Sequence, residues 1–200
     1  MLFEYETQRL LLKIIKPEYG SSVLEFYLRD KALFERYEPD RMPGFYTTDY
    51  QKKALYIEFN KAIEGTMFRF YVYEKTDPQT IIGTISFFNI LHAPCCSCEA
   101  GYKFSSRVHH HGYATEALTA LANIVFTELN MHRIVACVEP NNAPSIHLLE
   151  RVGFVREGLC RDHTCQHGIW IDHLQYSLLP TDLRLSLIHI SEPTRLRRIS

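Results

Sequence analysis

The chain has no apolar run that approaches the roughly 20 residues needed to cross a bilayer. Its first residues also lack the basic and apolar segments of a signal peptide. No Gly/Ser-rich or Pro-rich linker divides the 200 residues, and 46% of them are hydrophobic, which suffices for one domain with a substantial core. These absences predict a single cytoplasmic domain without a membrane partner.

An excess of basic charge is also missing. The formal net charge is -1, whereas nucleic-acid-binding domains usually present a basic face, so we expect no direct nucleic-acid partner. The run from Leu185 to Arg195 resembles the translation of a transposon-end adapter used in sequencing libraries. We therefore predict one domain over residues 1–184, followed by an adapter-derived tail without function over residues 185–200. The alternative is a basic tail that binds an acidic partner.

The six cysteines of the chain do not form two C-x-x-C pairs. Cys95, Cys96 and Cys98 lie close together, while the other three are scattered at Cys137, Cys160 and Cys165. A zinc site typically takes paired C-x-x-C or H-x-x-x-H ligands. We therefore predict reduced, structural thiols and no metal, with one alternative left open, that the fold brings distant cysteines together.

The hydrophobic periodicity predicts the element order β-α-α-β-β-β-α-β-α-β-β. Gly65 and Gly153 are expected to end the second and fourth helices, because glycine adopts the left-handed conformation of a helix C-terminus. The strands are expected at residues 8–15, 68–73, 80–88, 97–104, 133–138, 154–160 and 169–178, and the helices at 19–34, 48–64, 113–129 and 145–152.

The loop before the third helix has the character of an anion site. The first turn of a helix exposes unpaired N–H groups and the positive end of the helix dipole, so it stabilises a phosphate without a dedicated cation. Gly112 lets the backbone approach a bulky diphosphate, and Ala114 keeps the next position small. A glycine placed there only to form a turn is the alternative. The segment runs His109, His110, His111, Gly112, Tyr113, Ala114.

This segment resembles a known motif. His109-x-x-Gly112-x-Ala114 is similar to the Q/R-x-x-G-x-G/A segment of the GNAT N-acetyltransferase family. Residues 142–145 and 149–154 resemble the N-x-x-S…GF signature of its ribosomal-protein-alanine acetyltransferase branch, and residues 168–173 fit that branch too. The likeness spans about residues 7–180. His109 departs from the pattern, which should weaken cofactor binding without abolishing it.

The resemblance implies an α/β (α+β) GNAT fold, in which about four helices flank a central mixed, mostly antiparallel sheet of about seven strands. It implies acetyl-CoA as co-substrate, held by the residues of the 109–114 loop together with Phe104, Ser105 and Asn142. No metal is expected, because three consecutive histidine side chains in an extended loop point in different directions. A monomer or a homodimer is expected.

The resemblance also implies catalytic groups. Ser145 takes the position of the serine that hydrogen-bonds the departing sulfur, with simple helix capping as the alternative. Leu149 occupies the position of the tyrosine general acid found in many family members, so that tyrosine is absent. Glu99 is the candidate base. A related branch carries a glutamate where this chain has Thr164, and the neighbouring His163 is a substitute.

The acceptor is expected to enter beside a loop that carries Glu35, Tyr37 and Glu38, which resembles the entrance of the alanine acetyltransferases. The two carboxylates would attract a protonated amine, although they also suit an ordinary charged helix end. The leading hypothesis is therefore acetylation of a protein N-terminal alanine or serine. The alternatives are a small-molecule amine acetyltransferase, acting on a polyamine, an amino acid or an antibiotic, and a non-catalytic CoA-binding module.

Overall fold

The computed structural model describes residues 1–183. The predicted tail at residues 185–200 lies outside the described residues. One eight-stranded sheet, in the order β1-β2-β3-β4-β5-β6-β8-β7, forms the centre of the molecule. Its strands are β1 (Glu4–Glu6), β2 (Leu10–Lys13), β3 (Phe68–Glu74), β4 (Asp77–Leu91), β5 (Ser97–Phe104), β6 (Arg133–Val138), β7 (Val155–Gln166) and β8 (Ile169–Leu178).

Within residues 1–183, five α-helices flank the sheet, with short 3-10 turns at Pro17–Tyr19 and Ser106–Val108. Every neighbouring strand pair is antiparallel except β5 and β6, which are parallel. The predicted fold class is confirmed, with one more strand and one more helix than expected. The helices are α1 (Gly20–Arg29), α2 (Lys31–Glu35), α3 (Thr48–Glu64), α4 (Tyr113–Glu128) and α5 (Ala143–Val152).

Alternating residues of the central strands divide the core between the two faces of the sheet. Phe70 and Val72 of β3 pack in the larger cluster with the apolar side of α4. Tyr71 and Tyr73, which point to the other face, pack with Phe26 of α1 and the neighbouring helices α2 and α3. This period of two is what a strand covered on both faces requires. Helices α4 and α5 therefore lie on the face opposite α1–α3.

The local chain signals placed several boundaries correctly. Gly65 and Gly153 end α3 and α5 with φ of 74° and 114°, the left-handed cap that the sequence predicted. Thr47 caps α3 by accepting a hydrogen bond from the N–H of Tyr50 at 3.2 Å, one residue before the predicted start of the helix at residue 48. Within residues 1–183, no helix combines the length and the apolar character that a bilayer crossing requires.

Two predicted elements are wrong. The helix expected over residues 19–34 is interrupted at Asp30, whose φ of -119° and ψ of 30° are not helical, so α1 and α2 are separate. The last strand pair is longer than expected, because β7 continues to Gln166 before a tight turn at His167 and Gly168. Both turn residues have positive φ, 50° and 77°, as a two-residue hairpin turn requires.

Candidate active site and cofactor loop

The parallel strands β5 and β6 separate partway along their length. They pair at Ser97↔Arg133, Cys98↔Ile134 and Glu99↔Val135, and no further. Beyond that point β5 stays with β4 as far as Phe104, while β6 stays with β8 as far as Val138. The resulting opening leaves one backbone edge of β5 free to pair with an extended ligand. The separation begins five residues before Phe104.

The chain then crosses to α4 through the predicted anion loop. Gly112 is the N-cap of α4 with φ of 79°, and no side chain caps the helix. The first-turn N–H groups, including those of Tyr113 and Ala114, therefore have no capping side chain to accept from them. Together with the helix dipole they suit a diphosphate. An L-residue at Gly112 would be strained in this left-handed conformation.

Arg9, just before β2, lies beside this loop. Its guanidinium donates to the carbonyl of His111 at 3.0 Å and to the carboxylate of Glu116 at 2.7 Å. It also lies over the ring of Tyr113, with Cζ 4.5 Å from the centroid. The contact places a half-exposed guanidinium beside the predicted anion loop. Sequence reasoning missed Arg9, because it is 102 residues from His111 and carries no local signal.

The three histidine rings of the loop contact different neighbours. The Nε2 of His109 lies 3.4 Å from the carbonyl oxygen of Phe104. His110 has a positive φ of 65° and meets His109 edge-on, while His111 stacks on Tyr113 with ring centroids 5.8 Å apart.

Hydrogen bonds to Asp30 fix the start of the loop. Its buried carboxylate accepts hydrogen bonds from the Ser105 hydroxyl at 2.6 Å, the Ser106 hydroxyl at 2.5 Å and the Ser106 N–H at 3.2 Å. Burial acts to raise the pKa of Asp30, but these hydrogen bonds outweigh it and lower the pKa below the ordinary value. Ser105 is fully buried, so its hydroxyl supports the loop from inside the protein rather than facing a ligand.

The side chain of Phe104 also packs in the protein interior. The ring packs against Gly83 of β4 so closely that any Cβ at that position would collide with it. Phe104 is therefore 9% exposed, and what it presents at the end of β5 is backbone. The predicted contact of Phe104 with the cofactor would accordingly be a main-chain contact.

Ser145 and Tyr102 share a hydrogen bond at the opening. Their hydroxyl oxygens are 2.6 Å apart, and Tyr102 lies on β5 beyond its last pair with β6. Burial raises the pKa of Tyr102 well above its usual value, more than the Ser145 hydrogen bond lowers it, so the phenol keeps its proton at neutral pH. Sequence reasoning noted the missing tyrosine at Leu149 and did not find this one, which comes from another element.

Asn142 is the cap of α5. Its Oδ1 accepts from the N–H of Ser145 at 3.2 Å, and Ser145 is the third residue of the helix. The alternative interpretation that Ser145 caps α5 is therefore wrong, and the hydroxyl of Ser145 is free of that task. The side chain of Asn142 is therefore occupied in capping α5.

Glu99 and Lys103 lie on the other face of β5. Side chains alternate along a strand, so both point away from Tyr102 and α5. The Glu99 carboxylate, partly exposed at the last pair with β6, accepts from Asn89 Nδ2 at 2.9 Å. The opening is thus flanked by the Ser145 hydroxyl on one side and by a carboxylate on the other.

The predicted acceptor loop reaches the same face of β5. Glu38 forms ion pairs with Arg41 and with Lys103 of β5, so its charge is balanced locally. Glu35 accepts from the Tyr46 hydroxyl at 2.7 Å. The ring of Tyr37 lies near Arg36, whose Cζ is 5.1 Å from its centroid. The structure therefore brings the loop beside Lys103, on the side of β5 that carries Glu99.

The strand β5 separates from its parallel neighbour β6, and the N-terminus of α4, which no side chain caps, follows it along the chain. This arrangement suits a protein that holds an acyl-CoA thioester against an amine. The protein is accordingly an acyltransferase, an acetyl-CoA-dependent N-acetyltransferase. Residues 9–155 match the model of the acetyltransferase (GNAT) domain. The chain belongs to the GNAT acetyltransferase family, as the sequence motifs predicted.

Two solved structures and one curated relative illustrate the similarity. The chain is 29% identical over 178 residues to the [ribosomal protein uS5]-alanine N-acetyltransferase of Escherichia coli, covering 88% of this chain and 90% of that protein. The ribosomal-protein-S5-alanine acetyltransferase of Vibrio fischeri superposes with a TM-score of 0.83 at 27% identity, covering 90% of this chain and 98% of the other. RimJ of Mycobacterium smegmatis, solved in complex with CoA-disulfide, gives 0.80 at 27% identity, with coverage of 88% and 84%.

Proposed function

We propose that the acceptor is the N-terminal amine of a protein that begins with alanine or serine. The observation that carries this proposal is the full-length similarity to alanine acetyltransferases of a ribosomal protein, which spans 88% of this chain. The loop of Glu35, Tyr37 and Glu38 supports it by position, because Glu38 pairs with Lys103 on the β5 face that carries Glu99. A peptide amine entering beside this loop would reach the side of the opening where Glu99 lies.

In this proposal the cofactor follows β5 and ends at α4. The backbone of residues 109–112 and the first-turn amides of Tyr113 and Ala114 would hold the pyrophosphate, with Arg9 as the adjacent positive charge. The free edge of β5 would pair with the pantetheine arm. Acetyl-CoA supplies an activated acyl group whose thiolate leaves when an amine attacks.

Ser145 and Tyr102 are assigned to the departing sulfur. The Ser145 hydroxyl would donate to the thiolate, while the phenol of Tyr102, 2.6 Å away, orients that hydroxyl. Tyr102 is a positioning residue, because it acts through Ser145. Alignment of two substrates in one opening supplies much of the rate in such a transfer, so this pair adds to catalysis rather than carrying it alone.

Glu99 is assigned to the attacking amine. A protonated amine must lose a proton before it attacks, and a nearby carboxylate can accept that proton directly or through one water molecule. Its position on the face opposite Ser145 supports the assignment, because base and acid must act on opposite sides of the reacting carbon. Glu99→Gln should lower kcat by about 10²-fold, the lower end of general-base contributions.

The test is a thiol-release assay with acetyl-CoA. Peptides that begin with alanine or serine are compared with the same peptides acetylated at the N-terminus, and with polyamines, free amino acids and aminoglycosides. The proposal expects thiol release only from free peptide N-termini, with the product confirmed by mass. Acetylation confined to the small amines would exclude a peptide acceptor. Stabilisation by acetyl-CoA without thiol release from any amine would indicate a non-catalytic CoA-binding module.

A further inference from the structure

Three soft and borderline metal ligands converge away from the cofactor loop. Cys137 lies on β6, while Cys160 and His163 lie on β7, which is separated from β6 by β8. The two Sγ atoms and a ring nitrogen of His163 are all within 4.8 Å of one another. Cys137 pairs with Gln175 and Cys160 with His173, so both thiols lie on the face that carries Glu99.

A disulfide does not fit this arrangement. Two strand spacings in a regular sheet amount to about 9–10 Å, whereas the Cα atoms of a disulfide are usually about 4.4–6.8 Å apart. Two sulfurs that bind the same metal ion do not have to approach each other as closely as the two sulfurs of a disulfide. With Zn–S bonds of about 2.3 Å in tetrahedral geometry, the two sulfurs are roughly 3.8 Å apart. The observed spacing is at most 1 Å longer than that, which side-chain rotation can remove.

The surroundings of the cluster suit a cation. The strand β7 bulges between Cys160 and Thr164, and that irregularity brings the exposed His163 back over the sheet. Its ring rests against the buried ring of His173, with centroids 4.9 Å apart. The exposure of His163 provides an entry path, and the neighbouring ring limits its orientation, as partners around metal ligands commonly do.

We propose that Cys137, Cys160 and His163 bind a zinc-like divalent cation, with a water molecule completing a tetrahedral site. Two sulfurs and one imidazole nitrogen are a ligand set that such ions prefer. The ion would fasten β7 to β6 across β8, near the point where β5 and β6 separate. The proposal takes up the alternative that the fold brings distant cysteines together, because its ligands come from two strands that are not adjacent in the sheet.

The proposal is tested by metal titration of the reduced full chain. Cobalt(II) added to the metal-free protein should give one tetrahedral site per chain, with visible ligand-field bands and a thiolate-to-cobalt charge-transfer band. Zinc should displace it, and competition with a chromophoric chelator then measures the zinc affinity. A chain that shows no charge-transfer band, or that binds less than one equivalent of cobalt, would overturn the proposal.

Single variants assign the ligands. Cys137→Ser and Cys160→Ser should each weaken zinc binding by more than the roughly 10–100-fold that outer partners contribute, and should diminish the charge-transfer band. His163→Ala should weaken binding similarly, and its exposed position keeps that variant folded. Cys165→Ser is the matched control, because Cys165 is exposed on the same strand and outside the cluster. Equal losses in Cys165→Ser, or unchanged binding in His163→Ala, would show that the cluster is not the site.

Discussion

Two hydroxyl groups from distant parts of the chain meet at the opening between β5 and β6. Tyr102 and Ser145 are 43 residues apart in the chain, yet their oxygens are 2.6 Å apart. Burial raises the pKa of this phenol further above its ordinary value. A neutral donor next to a serine can keep the serine hydroxyl turned toward a leaving group without adding charge to the opening.

We therefore expect Ser145→Ala to lower kcat by about 10²-fold. Tyr102→Phe should lower kcat by about tenfold, because one orienting hydrogen bond of roughly 1.4 kcal/mol is lost. In both variants the KM for acetyl-CoA should stay nearly constant. The control is Tyr73→Phe, whose buried hydroxyl has no partner. Steady-state kinetics are the measurement, and an unchanged kcat in Ser145→Ala would contradict the assignment.

Gly112 and Gly65 allow a matched comparison of two left-handed positions. Their φ values are 79° and 74°, so a side chain strains both by about 1–2 kcal/mol. Only Gly112 lies at the N-terminus of α4. Gly112→Trp should lose the rise in melting temperature caused by CoA, whereas Gly65→Trp should keep it. Thermal shift with and without CoA is the measurement, and normal stabilisation of Gly112→Trp would refute the phosphate loop.

At the scale of elements, the break between α1 and α2 places Asp30 where it binds the start of the anion loop. Asp30 is 75 residues from Ser105, and its carboxylate fixes the chain where β5 ends. A continuous helix through this position was the reasonable expectation from periodicity. The three hydrogen bonds from Ser105 and Ser106 show why the structure departs from it, since they draw the carboxylate of Asp30 toward the loop.

Asp30→Asn should lower the free energy of unfolding by about 1–3 kcal/mol, because Ser105 loses its charged acceptor in a buried site. The folded pKa of Asp30 is below its ordinary value of 3.8. Its contribution is therefore present above pH 3.8 and is lost as pH falls through the lowered folded pKa. The unfolding free energy of Asp30→Asn should thus depend less on pH in that acidic window.

Urea unfolding at several pH values measures this difference, and the affinity for CoA should fall as the loop loosens. Asp49→Asn is the control, because Asp49 is exposed in the first turn of α3. Equal acid dependence in wild type and Asp30→Asn would contradict the role given to the carboxylate.

At the scale of the whole molecule, the last described residues complete the core. Leu183 is 8% exposed within the larger apolar cluster. The carbonyl of Asp182 packs on Gly153 so closely that no Cβ fits there, and its carboxylate accepts from the N–H of Leu179 at 3.0 Å. The segment after β8 therefore packs over the end of α5.

Two truncations test where the domain ends. A chain ending at residue 184 should keep the melting temperature and the thiol-release rate of the full chain, in keeping with the proposal that residues 185–200 have no function. A chain ending at Leu179 should lose roughly 1.5–3 kcal/mol, because Leu183 is no longer buried. Calorimetry measures the stability of both chains and the thiol-release assay measures their activity, and loss of activity in the chain that ends at residue 184 would show that the tail contributes.

The sequence by itself determined the elements that depend on neighbouring residues. The strands at residues 97–104, 133–138 and 169–178 were predicted to the residue, because alternation and turn chemistry are local. The glycines that end α3 and α5, and the loop at Gly112, are local for the same reason. Together with the motif spacing they were enough to predict the family.

Tertiary structure alone decided how distant groups meet. The strand β1 has only three residues and forms by pairing with β2. Arg9 beside the loop, the interruption at Asp30, and Tyr102 against Ser145 all join segments that are far apart in the chain. The cluster of Cys137 with Cys160 likewise depends on sheet order. Such contacts follow from how helices and strands pack around one core, and no local pattern carries that information.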